Sequence, residues 1–202
     1  IRRTELSRKD LPVFLQKVLH DRHLKDFKNS THQPFYECTE EYEMLIFRVM
    51  DQRFGISNPK TRSTVFLIIN NTIVTIHDED DQTLYKLHKK WLAETYKRPT
   101  DLPELLHDLL DTIGNAYLAL REPLNNQIQD WQRRLFDPND PFSDWQVLLQ
   151  AKSGLRWLKV NLELQREVLQ DWREETSLVF NASHVIHFND LDGHLGRIER
   201  LA

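Results

Sequence analysis

Two different spacings of apolar residues divide this chain. In the first half the apolar positions come in short runs rich in β-branched and aromatic residues. Glu43 to Met50, EMLIFRVM, is such a run and predicts a buried strand. Thr64 to His77, TVFLIINNTIVTIH, holds two more on either side of Asn70-Asn71. Asparagine tolerates the positive φ of a tight turn, so this stretch predicts a β-hairpin. Asp10-Leu11-Pro12 marks a helix start, because proline fits a first turn, and Val13, Phe14, Val18 and Leu19 continue with helical spacing. The polar stretch from His20 to Pro34 predicts no regular element, and a helix is expected from about Thr83 to Tyr96.

After Arg98-Pro99 the period changes to that of a helix. Leu102, Leu105, Leu106, Leu109, Leu110, Ile113, Tyr117, Leu120, Leu124, Ile128, Trp131 and Leu135 form one stripe on one very long predicted helix. Thr100 or Asp101 can cap it and Pro103 suits its first turn. Pro123 lies inside the stripe and should kink the helix, at a cost of about 3 kcal/mol. The turn DPNDP, Asp137 to Pro141, ends it. Trp145, Leu148, Leu155, Leu158, Leu162, Leu169 and Trp172 then mark a second long helix, antiparallel to the first. A third begins near His184, and its seam of Leu191, Leu195, Ile198 and Leu201 is still running at the last residue. The expected fold class is α/β. An N-terminal α/β sandwich-type domain with a mostly antiparallel sheet, residues 1–97, precedes a long helical hairpin and the start of a further long helix, residues 98–202. A chain that opens on Ile1 and stops within a seam is expected to be a piece of a longer protein.

Composition narrows the function. Charged residues make up 29% of the 202 positions and glycines number only five, which favours an ordered, helix-rich chain. The net charge of -4 excludes a strongly basic nucleic-acid binder. Cys38 has no second cysteine to pair with, which points to a reducing compartment and makes the sequons at Asn29, Asn70 and Asn181 accidental. No apolar run reaches the roughly 20 residues of a membrane helix.

The chemistry is concentrated in HVIHFNDLDGH, residues 184–194. At 100° per residue, His184, His187, Asp190 and His194 fall within about a third of the helix circumference, while Asp192 points elsewhere. Such a face can hold a divalent cation, alone or completed by a partner. Carboxylate suits magnesium, and imidazole suits zinc, cobalt or nickel. The same residues also suit a solvated helix start. The acidic run HDEDD, residues 77–81, can attract cations or serve as a solvated loop. Cys38 with His20, His23 or His32 is a conceivable reactive pair, though no third orienting group is in view. No nucleophile elbow, phosphate-binding loop or dinucleotide fingerprint is present.

Four stretches resemble the cytoplasmic part of the CorA family of divalent-cation transporters. They are LHDLLDTIGNAYLALREPLNNQIQDWQRRLF (106–136), LQREVLQDWREE (164–175), FNDLDGH (188–194) and TVFLIINNTIVTIHDE (64–79), in the family's order and spacing from about Leu11 onward. The resemblance implies a non-enzymatic role at the cell inner membrane, with this part on the cytoplasmic side. It also implies a homopentamer and a last helix that continues as a stalk into the membrane. The family's membrane helices and Gly-Met-Asn loop, and the first strand or strands of its α/β domain, are not in these residues. Regulatory magnesium would sit between neighbouring subunits. Asp190 and His194 match the family's stalk motif and Asp51 lies near the position of the partner acid, while Gly193 replaces the motif's second aspartate. His184 and His187 leave room for Co2+ or Zn2+. The metal-site residues implied are therefore Asp190, His194, Asp51 and His187. A ZntB-like zinc transporter, a stand-alone helical scaffold and a metal-dependent enzyme on the His/Asp face are the competing readings.

Overall fold

The computed structural model describes residues 1–3, 6–51, 59–93, 97–137, 139 and 143–200. Four strands form one antiparallel sheet in sequence order: β1 (Phe35–Cys38), β2 (Glu43–Met50), β3 (Thr61–Ile69) and β4 (Thr72–Ile76). The two central strands are buried on both faces, which is why they read as near-continuous apolar runs. Alternation sorts their side chains. Met44 and Ile46 join Val65, Leu67, Ile69, Val74 and Ile76 beneath Leu15, Leu19 and Phe27. Leu45, Phe47, Val49, Phe66 and Ile68 face the other way, into a larger core with the later helices. The predicted hairpin is β3–β4, and Asn70 turns it with φ 52°.

Helices cover both faces. Before the sheet come a 3-10 turn (Arg8–Asp10), α1 (Val13–Val18) and α2 (Asp21–Lys28). After it come α3 (Gln82–Leu92), α4 (Leu102–Leu118), α5 (Arg121–Leu135), α6 (Trp145–Glu175) and α7 (Ala182–Glu199). One apolar core joins β2 and β3 to α3, α4, α6 and α7, and so runs across residue 97. The tail of the expected α3, residues 94–96, and parts of the DPNDP turn lie outside the described residues.

Two expectations are corrected, and one strand, β1, was not expected at all. The polar stretch from His20 contains α2, because His23 and Phe27, one turn apart, are both fully buried. Counting histidine as polar hides that face. β1 carries no apolar alternation and forms by backbone pairing to β2, Phe35 opposite Ile46. The long helix over 102–135 is two helices, with a break at Ala119 and Leu120. Pro123 causes it from four residues downstream, since its ring clashes with the carbonyl at 119 and it cannot bond to it. Its own position in the first turn of α5 needs no N–H.

Two buried polar groups tie the layers. Glu43, at the start of β2, accepts from Trp172 Nε1 (2.9 Å), Thr176 Oγ1 (2.8 Å), Ser177 N (2.9 Å) and Ser177 Oγ (3.0 Å), fixing the end of α6 to the sheet. His23 contacts Tyr42 Oη through Nδ1 at 2.5 Å and lies 3.3 Å from Glu37 through Nε2. That commits the ring to its own layer and away from Cys38, whose thiol is exposed. Burial pushes the His23 imidazole below its ordinary value of 6.5, against the pull of Glu37. The unfolded chain then binds a proton there more readily than the folded one. Stability from this group is present above pH 6.5 and falls away as the pH drops through the folded value. Melting temperatures from pH 8 to 5 should decline, and His23→Gln, which cannot titrate, should flatten the slope. An unchanged slope would mean that His23 is not the group responsible.

Candidate cation site

The His/Asp face of α7 does not look outward along its whole length. Its first half lies against α4. Asn181 caps α7 by accepting from His184 N at 2.9 Å, and His184 Nδ1 accepts from Asn181 N at 3.2 Å. The other nitrogen, Nε2, is 3.1 Å from Oδ2 of Asp101. Asp101 is itself the cap of α4, accepting from Glu104 N at 2.9 Å. His184 therefore joins two helix starts and is spent on structure.

One turn on, His187 stacks against His107 of α4, with ring centroids 5.1 Å apart. Burial lowers the pKa of His107, opposed by the charge of Asp111, so this imidazole favours its neutral, lone-pair-bearing form. Asp190 projects from the exposed edge, and its Oδ2 lies 3.2 Å from His194 Nε2. His194 Nδ1 is buried without a hydrogen-bond partner, and Oδ1 of Asp111 stands 3.9 Å away. Gly193 has nothing within 4 Å of where a Cβ would sit. Asp192 leaves this face, as its spacing predicts, and receives Arg166 Nε at 2.9 Å and Nη2 at 3.1 Å. Arg166 also donates to Glu199 Oε2 at 2.8 Å.

So the fold brings Asp190 and His194 together and sets His187 on the same side. It places Asp51 elsewhere, just past β2, where Oδ2 accepts from Arg62 Nε at 2.9 Å. The acidic run after β4 is the turn that joins it to α3, with Glu79 and Asp80 exposed, and its carboxylates are paired or capping. Asp78 binds Arg3 and Arg62, Glu79 meets Arg2, and Asp80 binds Arg62. Asp81 caps α3 through Thr83 N and Leu84 N. Among the described residues, no three His, Cys, Asp or Glu side chains are already gathered to hold a metal ion. Sequence reasoning missed His107 and Asp111. They lie one turn apart on α4, as Asp190 and His194 do on α7, and that matching spacing was the available signal.

A family profile described as CorA-like Mg2+ transporter protein matches residues 5–201. The chain belongs to the CorA family. Solved structures carry the same fold. The soluble domain of CorA from Methanocaldococcus jannaschii is 17% identical, with a TM-score of 0.74 over 96% of this chain and 78% of that one. The ZntB cytoplasmic domain from Vibrio parahaemolyticus RIMD 2210633 is 15% identical, with a TM-score of 0.75 over 99% of this chain and 78% of that one. The complete CorA magnesium transporter from M. jannaschii is 18% identical, with a TM-score of 0.76; the alignment takes in 98% of this chain but 62% of the transporter. No curated protein matched. Among the described residues, no helix is long and apolar enough to cross a membrane. The CorA fold places the α7 face as the last described element of the chain, packed between α4 and α6 through Leu191, Leu195 and Ile198.

Proposed function

We propose that this chain is the ion-responsive cytoplasmic domain of a CorA-type magnesium or cobalt transporter of the cell inner membrane. In this reading it works in a homo-oligomer, a pentamer, and takes divalent cations between its copies. The observation that carries the reading is the Asp190–His194 pair at the exposed edge of α7, beside a buried and uncommitted nitrogen of His194. Asp190 and His194 supply the first ligands, with His187 one turn earlier. Asp51 contributes only if Arg62 releases it. Carboxylates of neighbouring copies repel, and a divalent ion between them removes the repulsion. Such an ion binds the assembled form better than the monomer and biases the assembly by that difference. The role is binding and gating, with no catalysis.

The His107–His187 pair favours a second reading, a ZntB-like zinc transporter, because imidazole suits zinc and cobalt better than magnesium.

Sedimentation and thermal unfolding against Mg2+, Co2+ and Zn2+ test both readings. A melting shift or a larger assembly is expected with metal, lost in Asp190→Ala. That substitution alone should cost under about 0.5 kcal/mol, since Asp190 is an exposed surface residue. The most effective ion ranks magnesium against zinc. No response to any of the three would remove cation sensing from α7 and leave the family assignment standing.

A further inference from the structure

The two faces of the sheet carry separate cores, and unequal covers close them. One face packs against α3, α4, α6 and α7. The other, with Met44, Ile46, Val65, Leu67 and Ile76, lies under Leu15 of α1, Leu19 just after it and Phe27 of α2. α1 has six residues and α2 eight, too few to stay helical away from the sheet. The far end of α2 is fastened by Arg3 Nη1 to Phe27 O at 2.7 Å and by Ser63 Oγ to Asn29 O at 2.7 Å. Its near end meets the β1–β2 turn through His23 and Tyr42, both buried. The other tie at this end, Arg22 to Glu37, rests on an arginine two-thirds exposed and adds little.

The near end has one hydrogen too few places to spare. Tyr42 Oη receives the backbone N–H of His20 at 3.3 Å and meets His23 Nδ1 at 2.5 Å. A hydroxyl has one hydrogen to give, and among the described residues Nδ1 is the acceptor it meets. The ring's own hydrogen is then on Nε2, which faces Glu37 Oε1 at 3.3 Å. Arg22 Nη2, 3.1 Å from Nε2, also donates to Glu37. Asp26 on α2 bears on the ring as well, Arg8 bears on Tyr42, and the His20 ring lies 5.7 Å from that of His23. A second proton on the imidazole must go to Nδ1. There it opposes the Tyr42 hydrogen, which is left buried without an acceptor. We propose that the His23–Tyr42 contact is an acid-operated latch: protonation of His23 releases α1 and the first half of α2 from the sheet, while the rest of the domain stays folded. The separate core on the other face is what keeps the rest in place. Burial lowers the pKa of His23 against the pull of Glu37, so the released form takes up the proton more readily. Above pH 6.5 the latch is fully closed, and between 6.5 and the folded value the released population grows by up to about tenfold per pH unit. The inference uses no residue of the α7 site.

Native-state amide exchange in chelator tests this, with each rate corrected for its intrinsic pH dependence. The amides of His20 and Leu24 belong to the cover and those of β3 to the sheet. At every pH the cover amides should open at least about tenfold more often than those of β3, the sign of a local release. From pH 8 to 5 that opening should grow by at least about fivefold. His23→Gln, which cannot titrate, should abolish the growth. Glu37→Gln removes the attraction that favours the charged ring and should steepen it. If His23→Gln does not fold, the steepening in Glu37→Gln decides the assignment. Cover amides that open together with β3 would overturn the proposal, because the release would then be global unfolding. So would an opening that does not grow between pH 8 and 5, or growth that survives in His23→Gln. Where that variant does not fold, an unchanged slope in Glu37→Gln overturns it equally.

Discussion

Phe188→Ala should lower the unfolding free energy by about 4 kcal/mol, the largest single loss expected in this fold. Phe188 is fully buried where α4, α6 and α7 meet. Its ring centroid lies 5.2 Å from that of Trp172, 5.5 Å from Phe180 and 5.6 Å from His107. Truncation removes the transfer energy of the ring and leaves a cavity among three aromatic neighbours that cannot collapse without tilting a helix. Denaturant titration should show a lower midpoint with an unchanged slope. Phe188→Leu fills most of the space and should cost about 1.5 kcal/mol. A loss below about 1 kcal/mol for the alanine variant would mean that α7 is not packed as described.

The second large effect lies at Glu43. Its four donors converge from Trp172, Thr176 and Ser177, and Trp172 is fully buried. Glu43→Ala leaves the indole N–H without an acceptor and frees the segment after α6. The expected loss is about 3 kcal/mol, the cost of an orphaned buried donor plus hydrogen bonds to a charged acceptor. For a chain of this size that is a melting shift of roughly 6–12 °C. Glu43→Gln keeps one acceptor oxygen but turns an NH2 toward donors, and should fall between. If Glu43→Ala melts within about 2 °C of the parent, the carboxylate is not what fixes α6 to the sheet.

These two sites show which parts of the structure could be read in the chain. Phe188 and Trp172 lie on helices whose seams are visible as spacing alone. β2, the β3–β4 hairpin and its Asn70 turn were likewise legible, because their residues report local periodicity and local turn chemistry. β1 was not, since its pairing comes from β2 and not from any pattern of its own. α2 was hidden by a buried histidine, whereas the interruption by Pro123 was expected and only its place, four residues upstream at Ala119 and Leu120, was not.

The candidate site divides the same way. Asp190, His194 and His187 share a face by simple helical arithmetic, and Asp190 does meet His194. Their neighbours His107 and Asp111 come from another helix; the matching one-turn spacing is visible in the sequence, but that α4 and α7 pack together is not. Arg62 is eleven residues from Asp51, but their contact depends on the antiparallel register that sets Val49 opposite Arg62. Glu43 and Trp172 are 129 residues apart and meet only through tertiary packing.

Arg166 gives α7 a mechanical property. It grips Asp192 and Glu199, two points a heptad apart on the same side of that helix. A single grip would let α7 pivot about one point, whereas two resist both rolling and sliding. The two contacts therefore fix the position of α7 on α6 at both ends of that heptad. α6 is in turn tied to the sheet by the bond from Trp172 to Glu43. One unbroken set of side-chain contacts thus runs from α7 through α6 to the first residue of β2.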